Sequence, residues 1–291
     1  FLQLTLAVVV LYLSTQMDEE GRGKTISVIG LVSSLIALLG ILEYIFVKTG
    51  RITSTFVNPN PFGTYLLILF LFYWGYSLRE KKLFLNILSV VFLVALFLTG
   101  SRGAYLSLIV VLLFIFIGFS KFEVKKNLFK TVLFFSGCLA LTWLIMYIAP
   151  IVQESFGLDV SLLDSLLRSG SLENSSTGRF EFWKAAIRVF SERPLTGFGL
   201  GTFFQSYFIG YGGNQWYSRF AHNHYLQILS ELGIVGLILF MAFIFSNLLV
   251  FRKIYRSKDH PPYFIGIAAA FIGFLAHIFI EFSWNFSGVT V

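Results

Sequence analysis

Two histidines and one glutamate lie at the start of a long apolar stretch. His222 and His224 immediately precede it, and Glu231 lies within it. Ionisable groups in a membrane segment are costly, so we take them first as a candidate functional site. A histidine can act as a general base when a substrate proton is within reach. A buried histidine bonded to a backbone carbonyl remains the alternative interpretation.

The His-x-His spacing also suggests a metal site, but the surrounding residues argue against one. Two histidines two positions apart on a helix do not share a face, and His222 and His224 have no cysteine or acidic cluster beside them. A zinc site needs three or four such ligands around one ion. We therefore predict no metal at this position.

Two arginines could bind an anion. Arg102 lies in a short link between two apolar runs, and Arg179 lies at the start of a predicted amphipathic helix. The planar guanidinium group pairs with phosphate oxygens in a bidentate manner. An anion at the start of that helix would be held by free backbone N–H groups together with Arg179. The alternatives are an interfacial snorkelling arginine for Arg102 and a solvated surface arginine for Arg179.

Three acidic residues lie within the apolar runs, namely Glu43, Glu231 and Glu281. Glu231 is nine positions beyond His222, on the opposite face of a continuous helix, so we expect it to pair with a residue of another helix rather than with His222. His277 and Glu281 are four positions apart, which allows them to pair with each other on one helix face.

The composition indicates a polytopic membrane protein, since 56% of the 291 residues are hydrophobic and 13% are charged. Residues 1–13 are shorter than the roughly 20 residues that a bilayer requires, so we interpret them as a clipped helix and the chain as a fragment. We predict an all-α fold with about seven complete transmembrane helices after the clipped one. The predicted apolar runs are residues 25–47, 62–78, 83–99, 104–119, 128–149, 225–251 and 263–282.

Positive charge alternates between successive short loops. One side carries thirteen Lys and Arg residues and the other carries three, which predicts that the basic side faces the cytoplasm. The net charge of +7 is then a topology signal and requires no nucleic acid. The same topology puts Arg102, His222 and a large loop, residues 150–221, on the extracytoplasmic side.

Within that loop we predict a flexible hinge at residues 169–177, followed by an amphipathic helix that ends before Pro194 and lies at the membrane surface. Ser176 or Thr177 could cap the start of this helix. Its apolar face is formed by four residues at near-helical spacing, namely Phe180, Trp183, Ile187 and Phe190.

Five sequence motifs together resemble the O-antigen ligase/polymerase superfamily of Wzy/WaaL-like membrane glycosyltransferases. Their order, their spacing and the single large loop carry the resemblance. The motifs are FVNPNPFG at 56–63, GSRGA at 100–104, TGR at 177–179 with Trp183, PLTGFGLG at 194–201, and AHNHYLQ at 221–227 running on to ELGIVG at 231–236.

The resemblance implies glycan transfer from a polyprenyl-diphosphate-linked saccharide to a glycan, lipid or protein acceptor. It implies the bacterial inner membrane, an extracytoplasmic active site, and no nucleotide sugar, metal or other cofactor. By motif position, His222 would be the catalytic base, and Arg102 and Arg179 would hold the diphosphate. Asn60, Asn223 and Glu231 would support the site. The resemblance leaves open whether the chain is a ligase or a polymerase.

Two other classes of function are weighed against this interpretation. A transporter or flippase would bind the lipid-linked diphosphate without chemistry, and its ionisable residues would lie near the bilayer midplane. Here the ionisable residues cluster in one leaflet, which favours an enzyme. An intramembrane protease would need a serine–histidine or paired-aspartate arrangement, and the sequence offers no convincing one.

Overall fold

The computed structural model describes residue 12 and residues 16–47, 50–56, 58–118, 128–156, 175–210, 218–257 and 260–281. Within these ranges the chain is all-α, as predicted, and contains no β-strand. The helices, in chain order, are α1 Glu19–Phe46, α2 Pro59–Ser77, α3 Leu83–Leu98, α4 Arg102–Gly118, α5 Leu128–Ser155, α6 Ser175–Glu192, α7 Phe203–Gly210, α8 His224–Ser257 and α9 Phe264–His277.

Several of these helices have the composition of membrane spans. In the described part of the chain, α1, α5 and α8 are long and apolar enough to cross a bilayer. Shorter apolar helices are α3, α9 and residues 102–114 of α4. The expected total of about seven complete transmembrane helices stays a prediction.

Helix α2 forms the centre of the bundle and packs most extensively against α3 and α9. Its side chains are apolar around the whole circumference, which is typical of a helix buried on all sides. Phe62, Leu66, Phe70 and Leu71 are fully buried within it. The helix begins at Pro59 after Asn58, whose side chain accepts a hydrogen bond from Asn60 N at 2.9 Å and so caps it.

Two glycines allow α2 and α9 to approach closely. A Cβ atom at Gly266 would lie 2.1 Å from the carbonyl oxygen of Phe72, and one at Gly75 would lie 2.6 Å from Gly266 Cα. Small residues at such crossings let the two backbones touch in a membrane bundle. This contact holds the end of α2 against the start of α9.

Gly266→Ala should destabilise the fold by about 1–3 kcal/mol, because the added methyl group overpacks the crossing of α2 and α9. Thermal unfolding in detergent micelles would measure the effect as a lower Tm. Gly137→Ala is the matched control, since a Cβ atom there meets nothing within 4 Å. Equal Tm values for the two variants would contradict the proposed helix contact.

The structure differs from the predicted boundaries at the end of α5. That helix continues through Pro150 to Ser155, so the loop predicted over residues 150–221 begins later. A proline removes only one backbone hydrogen bond, and this one lies close to the helix end. The clipped helix at residues 1–13 falls outside the described residues except for Tyr12, and so does most of the predicted hinge at residues 169–177.

Helix α8 is interrupted at Gly233, which has φ 65° and ψ −166°. The loop between α6 and α7 docks at this break. Ile234 N donates to Pro194 O at 2.8 Å, and Gly199 N donates to Glu231 O at 2.7 Å. The loop thus supplies hydrogen-bond partners for the backbone groups that the interrupted helix leaves unpaired. Irregular backbone within a bilayer needs such partners. The PLTGFGLG motif is therefore the element that joins the α6–α7 region to α8.

Candidate active site

Helix α6 carries Arg179 and is held against the start of α8. Its buried face consists of Phe182, Ala185, Ala186 and Val189. The sequence predicted a different apolar face, at Phe180, Trp183, Ile187 and Phe190. Of these, Phe180 and Ile187 are exposed by 62% and 53%, so α6 has one face buried in protein and a second apolar face that is exposed.

The observed start of α6 changes the setting of Arg179. The helix begins at Ser175, so Ser176 and Thr177 come after its first residue. Arg179 is the fifth residue of the helix rather than a member of its first turn. The effect of the helix dipole is confined to the first turn. The placement of the Arg179 side chain therefore depends more on a hydrogen bond to another side chain than on the dipole.

His222 lies in the turn immediately before α8, in a left-handed backbone conformation with φ 51°. This conformation is uncommon for a residue other than glycine. The imidazole ring is buried and stacks on Phe182, with ring centroids 5.5 Å apart. Asn223 Oδ1 accepts a hydrogen bond from Leu226 N at 3.1 Å, which caps α8. The turn thus fixes the ring of His222 beside α6.

The carboxylate of Glu281 joins three of these elements. Its Oε1 lies 2.9 Å from His222 Nδ1. Its Oε2 accepts hydrogen bonds from Arg179 Nη2 at 2.9 Å and from Asn60 Nδ2 at 3.0 Å. An ionised carboxylate can only accept hydrogen bonds, so His222 Nδ1 carries a proton in this pair. The basic lone pair of neutral His222 is then on Nε2.

The Glu281 side chain is only 2% exposed, yet its surroundings favour the ionised form. Burial alone would raise the pKa of Glu281, but the hydrogen bond and charge of His222, with the charges of Arg179 and His277, lower it below the ordinary value. Stabilisation from this carboxylate is therefore complete above the ordinary carboxyl pKa. It is lost only as the pH falls through the lowered value.

Asn60 extends the cluster to a second arginine. Its Oδ1 accepts a hydrogen bond from Arg51 Nη2 at 2.8 Å, while its Nδ2 donates to Glu281. Asn60 lies at the start of α2, and Glu281 lies four residues beyond the end of α9. The two helices pack along each other in opposite directions, and this packing brings Asn60 and Glu281 together.

Arg102 lies at the start of α4, beside this cluster but not in its hydrogen-bond network. It is exposed, and it makes no hydrogen bond or ion pair with any residue in the described ranges. Its charge interacts with that of Arg51. Of the sequence-predicted residues, His222, Arg179 and Asn60 thus meet at one carboxylate, and Arg102 lies at the solvent side.

Glu231 performs a structural task away from His222. Its carboxylate accepts hydrogen bonds from Gly201 N at 2.8 Å, Phe203 N at 3.2 Å and Gln227 Nε2 at 3.1 Å. Two of these donors belong to the segment leading into α7, whose first residue is Phe203. The expectation that Glu231 pairs with a residue of another helix rather than with His222 is therefore confirmed. Glu231 fixes the α6–α7 loop on α8 and supports the site from a distance.

The other two histidines of this region lie in separate environments. His224 N donates to Ile278 O at 2.8 Å, and its ring packs edge-to-face on Phe240. His277 is fully buried, with Nδ1 3.4 Å from Ser107 Oγ. The spacing allowed His277 to pair with Glu281, and the charges of the two residues do interact. The hydrogen bonds of the Glu281 carboxylate, however, go to His222, Arg179 and Asn60.

Sequence reasoning missed the roles of Glu281 and Arg51. Glu281 was visible as one of three acids in apolar runs, but its partners lie far away along the chain. Arg51 was counted only as a loop charge. In the part of the chain that the structure describes, no group of three or more His, Cys, Asp and Glu residues is placed to hold a metal ion.

Comparison with known proteins gives relatives along most of the chain. The chain is 26% identical over 253 residues to the ComP-specific O-oligosaccharyltransferase of Acinetobacter baylyi, which covers 82% of this chain and 42% of that protein. It is 26% identical over 288 residues to a protein of Rickettsia felis described as a polysaccharide ligase, covering 92% of this chain and 65% of the relative. The chain thus spans less than two thirds of the length of either relative.

The family model described as O-antigen ligase matches residues 87–241, which is more than half of the chain. The matched range includes Arg102, Arg179, His222 and Asn223. Asn60 and Glu281 lie on either side of the matched range, and the packing of α2 against α9 brings them to the cluster. This chain belongs to the O-antigen ligase family.

Proposed function

We propose that the chain transfers a glycan from a polyprenyl-diphosphate-linked donor to an acceptor hydroxyl. The observation that carries this proposal is the buried carboxylate of Glu281, which forms an ion pair with Arg179 and also bonds to His222. A histidine oriented by a carboxylate is suited to proton transfer, and the neighbouring arginines are suited to a phosphorylated leaving group. Both are required for glycosyl transfer from a diphosphate.

His222 is the general base in this proposal. Nε2 takes the proton from the acceptor hydroxyl as the acceptor oxygen attacks the anomeric carbon of the donor sugar. Glu281 holds the Nδ1 proton, which fixes the tautomer and stabilises the imidazolium that forms. Asn223 supports the step by capping α8 and so fixing the turn that carries His222.

Arg179 and Arg102 stabilise the leaving group. As the bond between the anomeric carbon and the phosphate oxygen breaks, negative charge develops on the departing polyprenyl diphosphate. Fixed cations aimed at that developing charge lower the barrier. Arg179 is 25% exposed and Arg102 is exposed, so both side chains can reach a bound anion without leaving their helices.

The positive-inside pattern of the short loops supports an orientation in which this site faces the extracytoplasmic side. In this arrangement the chain has about seven complete transmembrane helices in the bacterial inner membrane. The segment that contains α6 and α7 forms the large outer loop. The exposed apolar side chains Phe180 and Ile187 of α6 are suited to the bilayer surface, where a lipid-linked donor would arrive.

The proposal requires that the glycan change its covalent partner. Purified protein in proteoliposomes would be supplied with a polyprenyl-diphosphate oligosaccharide and an acceptor. Mass spectrometry should detect the glycan on the acceptor, with one polyprenyl diphosphate released for each glycan transferred. The length of the glycan product distinguishes a polymerase from a ligase. A protein that only moves the intact donor between leaflets would be a transporter, and the proposal would fail.

Transfer should continue at the same rate after treatment with a metal chelator. The reaction as proposed uses a histidine base and arginine cations, so it has no step for a divalent ion to catalyse. The measurement compares initial rates of transfer with and without EDTA, with Mg²⁺ or Mn²⁺ added back as the control. A loss of activity that added metal restores would contradict this mechanism.

A further inference from the structure

Arg51 lies in the loop between α1 and α2, and the backbone around it is held firmly. The next residue, Ile52, is fully buried, and its N–H donates to Leu98 O at 3.3 Å. The carboxylate of Glu43 accepts backbone hydrogen bonds from Thr53 N at 3.0 Å and Ser54 N at 2.6 Å. An exposed arginine on such a fixed loop is in a defined position.

The Arg51 side chain lies over the turn that leads to Arg102. Its Nε donates to Thr99 O at 2.8 Å, and Nη2 donates to Asn60 Oδ1 at 2.8 Å. A Cβ atom at Gly100, which has φ +61°, would lie 3.1 Å from Arg51 Nε. In the described part of the chain, Nη1 and the second N–H of Nη2 have no protein partner, so they remain available to a ligand.

Arg51 lies near two other arginines and one carboxylate. The charges of Arg102 and Arg179 repel it, and the charge of Glu281 attracts it. Three guanidinium groups outnumber one carboxylate by two. Convergence of like charges costs free energy in a folded protein unless an anion offsets it. A diphosphate diester, which carries a negative charge on each phosphate, matches this excess.

We propose that Arg51 is a third cation of the donor site and contacts the diphosphate of the lipid-linked donor directly. Through Asn60, the same side chain also connects the diphosphate site to the Glu281–His222 pair. This inference rests on the proposed function and assigns a further residue to it. The nearest alternative is a purely structural arginine that holds Asn60 against Glu281.

Binding of the lipid distinguishes these two roles without requiring turnover. Polyprenyl diphosphate and polyprenyl monophosphate of equal chain length would be titrated into the full chain in nanodiscs. Arg51→Ala should raise the Kd for the diphosphate lipid by about 10- to 100-fold, the range expected for lost hydrogen bonds to a charged group. The Kd for the monophosphate should change less, because a smaller anion uses fewer of the cations.

Two further variants complete the test. Lys184→Ala removes an exposed cation that pairs with Glu181 on α6, and it should leave both Kd values unchanged. Asn60→Ala retains the Arg51 charge but removes its link to Glu281. It should lower kcat for transfer and keep the diphosphate Kd within about threefold of wild type, since the cation itself is retained.

A diphosphate Kd unchanged in a folded Arg51→Ala protein would overturn the inference. Should that variant not fold, Arg51→Lys decides, because lysine keeps the charge but cannot reproduce the paired N–H contacts. An unchanged Kd in Arg51→Lys would then overturn it. A wild-type protein that binds no diphosphate lipid would instead contradict the proposed function itself, so the two failures are distinguishable.

Discussion

His222→Ala should lower kcat for glycan transfer by about 100- to 10,000-fold, the range expected for loss of a general base. Alanine leaves no group to accept the proton of the acceptor hydroxyl. Donor binding should survive, because Arg179 and Arg102 remain. Initial rates with purified protein in proteoliposomes would measure kcat, and a polyprenyl diphosphate titration would measure binding.

His224→Ala is the matched control for this variant. His224 is buried like His222 and lies two positions away, but its ring packs on Phe240 at a distance from Glu281. Its loss should lower stability more than rate, with kcat within about tenfold of wild type, because buried large-to-small changes act mainly through packing. Equal losses of kcat in the two variants would contradict the assignment of the base to His222.

Glu281→Gln should lower kcat by about 100-fold or more, since a fixed histidine tautomer and a stabilised imidazolium both depend on the carboxylate. The amide keeps the size of the side chain but brings an N–H₂ group toward donors on His222, Arg179 and Asn60. It also leaves the partly buried Arg179 charge without its counter-ion. Single-turnover rates after donor binding would measure the effect.

A change in the pH profile separates this role from a structural one. Without the carboxylate the protonated imidazole is less favoured, so the acid limb of kcat/KM should shift to lower pH in Glu281→Gln. Glu281→Asp should recover part of the rate. Glu192→Gln, at the exposed end of α6, is the control and should change neither quantity. An unshifted profile in Glu281→Gln would limit Glu281 to holding the fold.

Much of the helical architecture follows from the sequence because membrane helices are long apolar runs. The predicted run at residues 83–99 matches α3, Leu83–Leu98, to within one residue. The helix at α6 was predicted from the spacing of its aromatic residues, and it exists. Its apolar face at Phe180, Trp183, Ile187 and Phe190 was predicted for the membrane surface, and Phe180 and Ile187 are exposed. The second face, which is buried against α8, was not predicted, because tertiary contacts alone reveal it.

The site was only partly predictable, because its central residue acts across long sequence separations. His222 and Arg179 follow from the motif positions, but their carboxylate partner lies 59 and 102 residues further along the chain. The i,i+4 spacing offered only His277 as a partner of Glu281, whereas the helix ends at His277 and the carboxylate bonds to side chains of other elements. Arg51 could not be assigned at all, since its hydrogen bond to Thr99 O, 48 residues further along the chain, depends on how its loop packs on the end of α3.

The break in α8 was also beyond sequence reasoning, although its motif was recognised. The ELGIVG segment reads as a continuous apolar helix, yet Gly233 adopts a non-helical conformation there. The break depends on the loop before α7, whose backbone supplies the hydrogen bonds that the helix gives up. Neither segment alone specifies this arrangement.

The central claim is that a base at His222 and a cation at Arg179 act on one donor, and a single-turnover experiment tests it most directly. Donor would be pre-bound to wild type, His222→Ala and Arg179→Ala, and product formation would be followed after acceptor is added. We predict that His222→Ala binds donor with wild-type Kd but forms almost no product, whereas Arg179→Ala loses donor affinity. Wild-type product formation by His222→Ala would contradict the account.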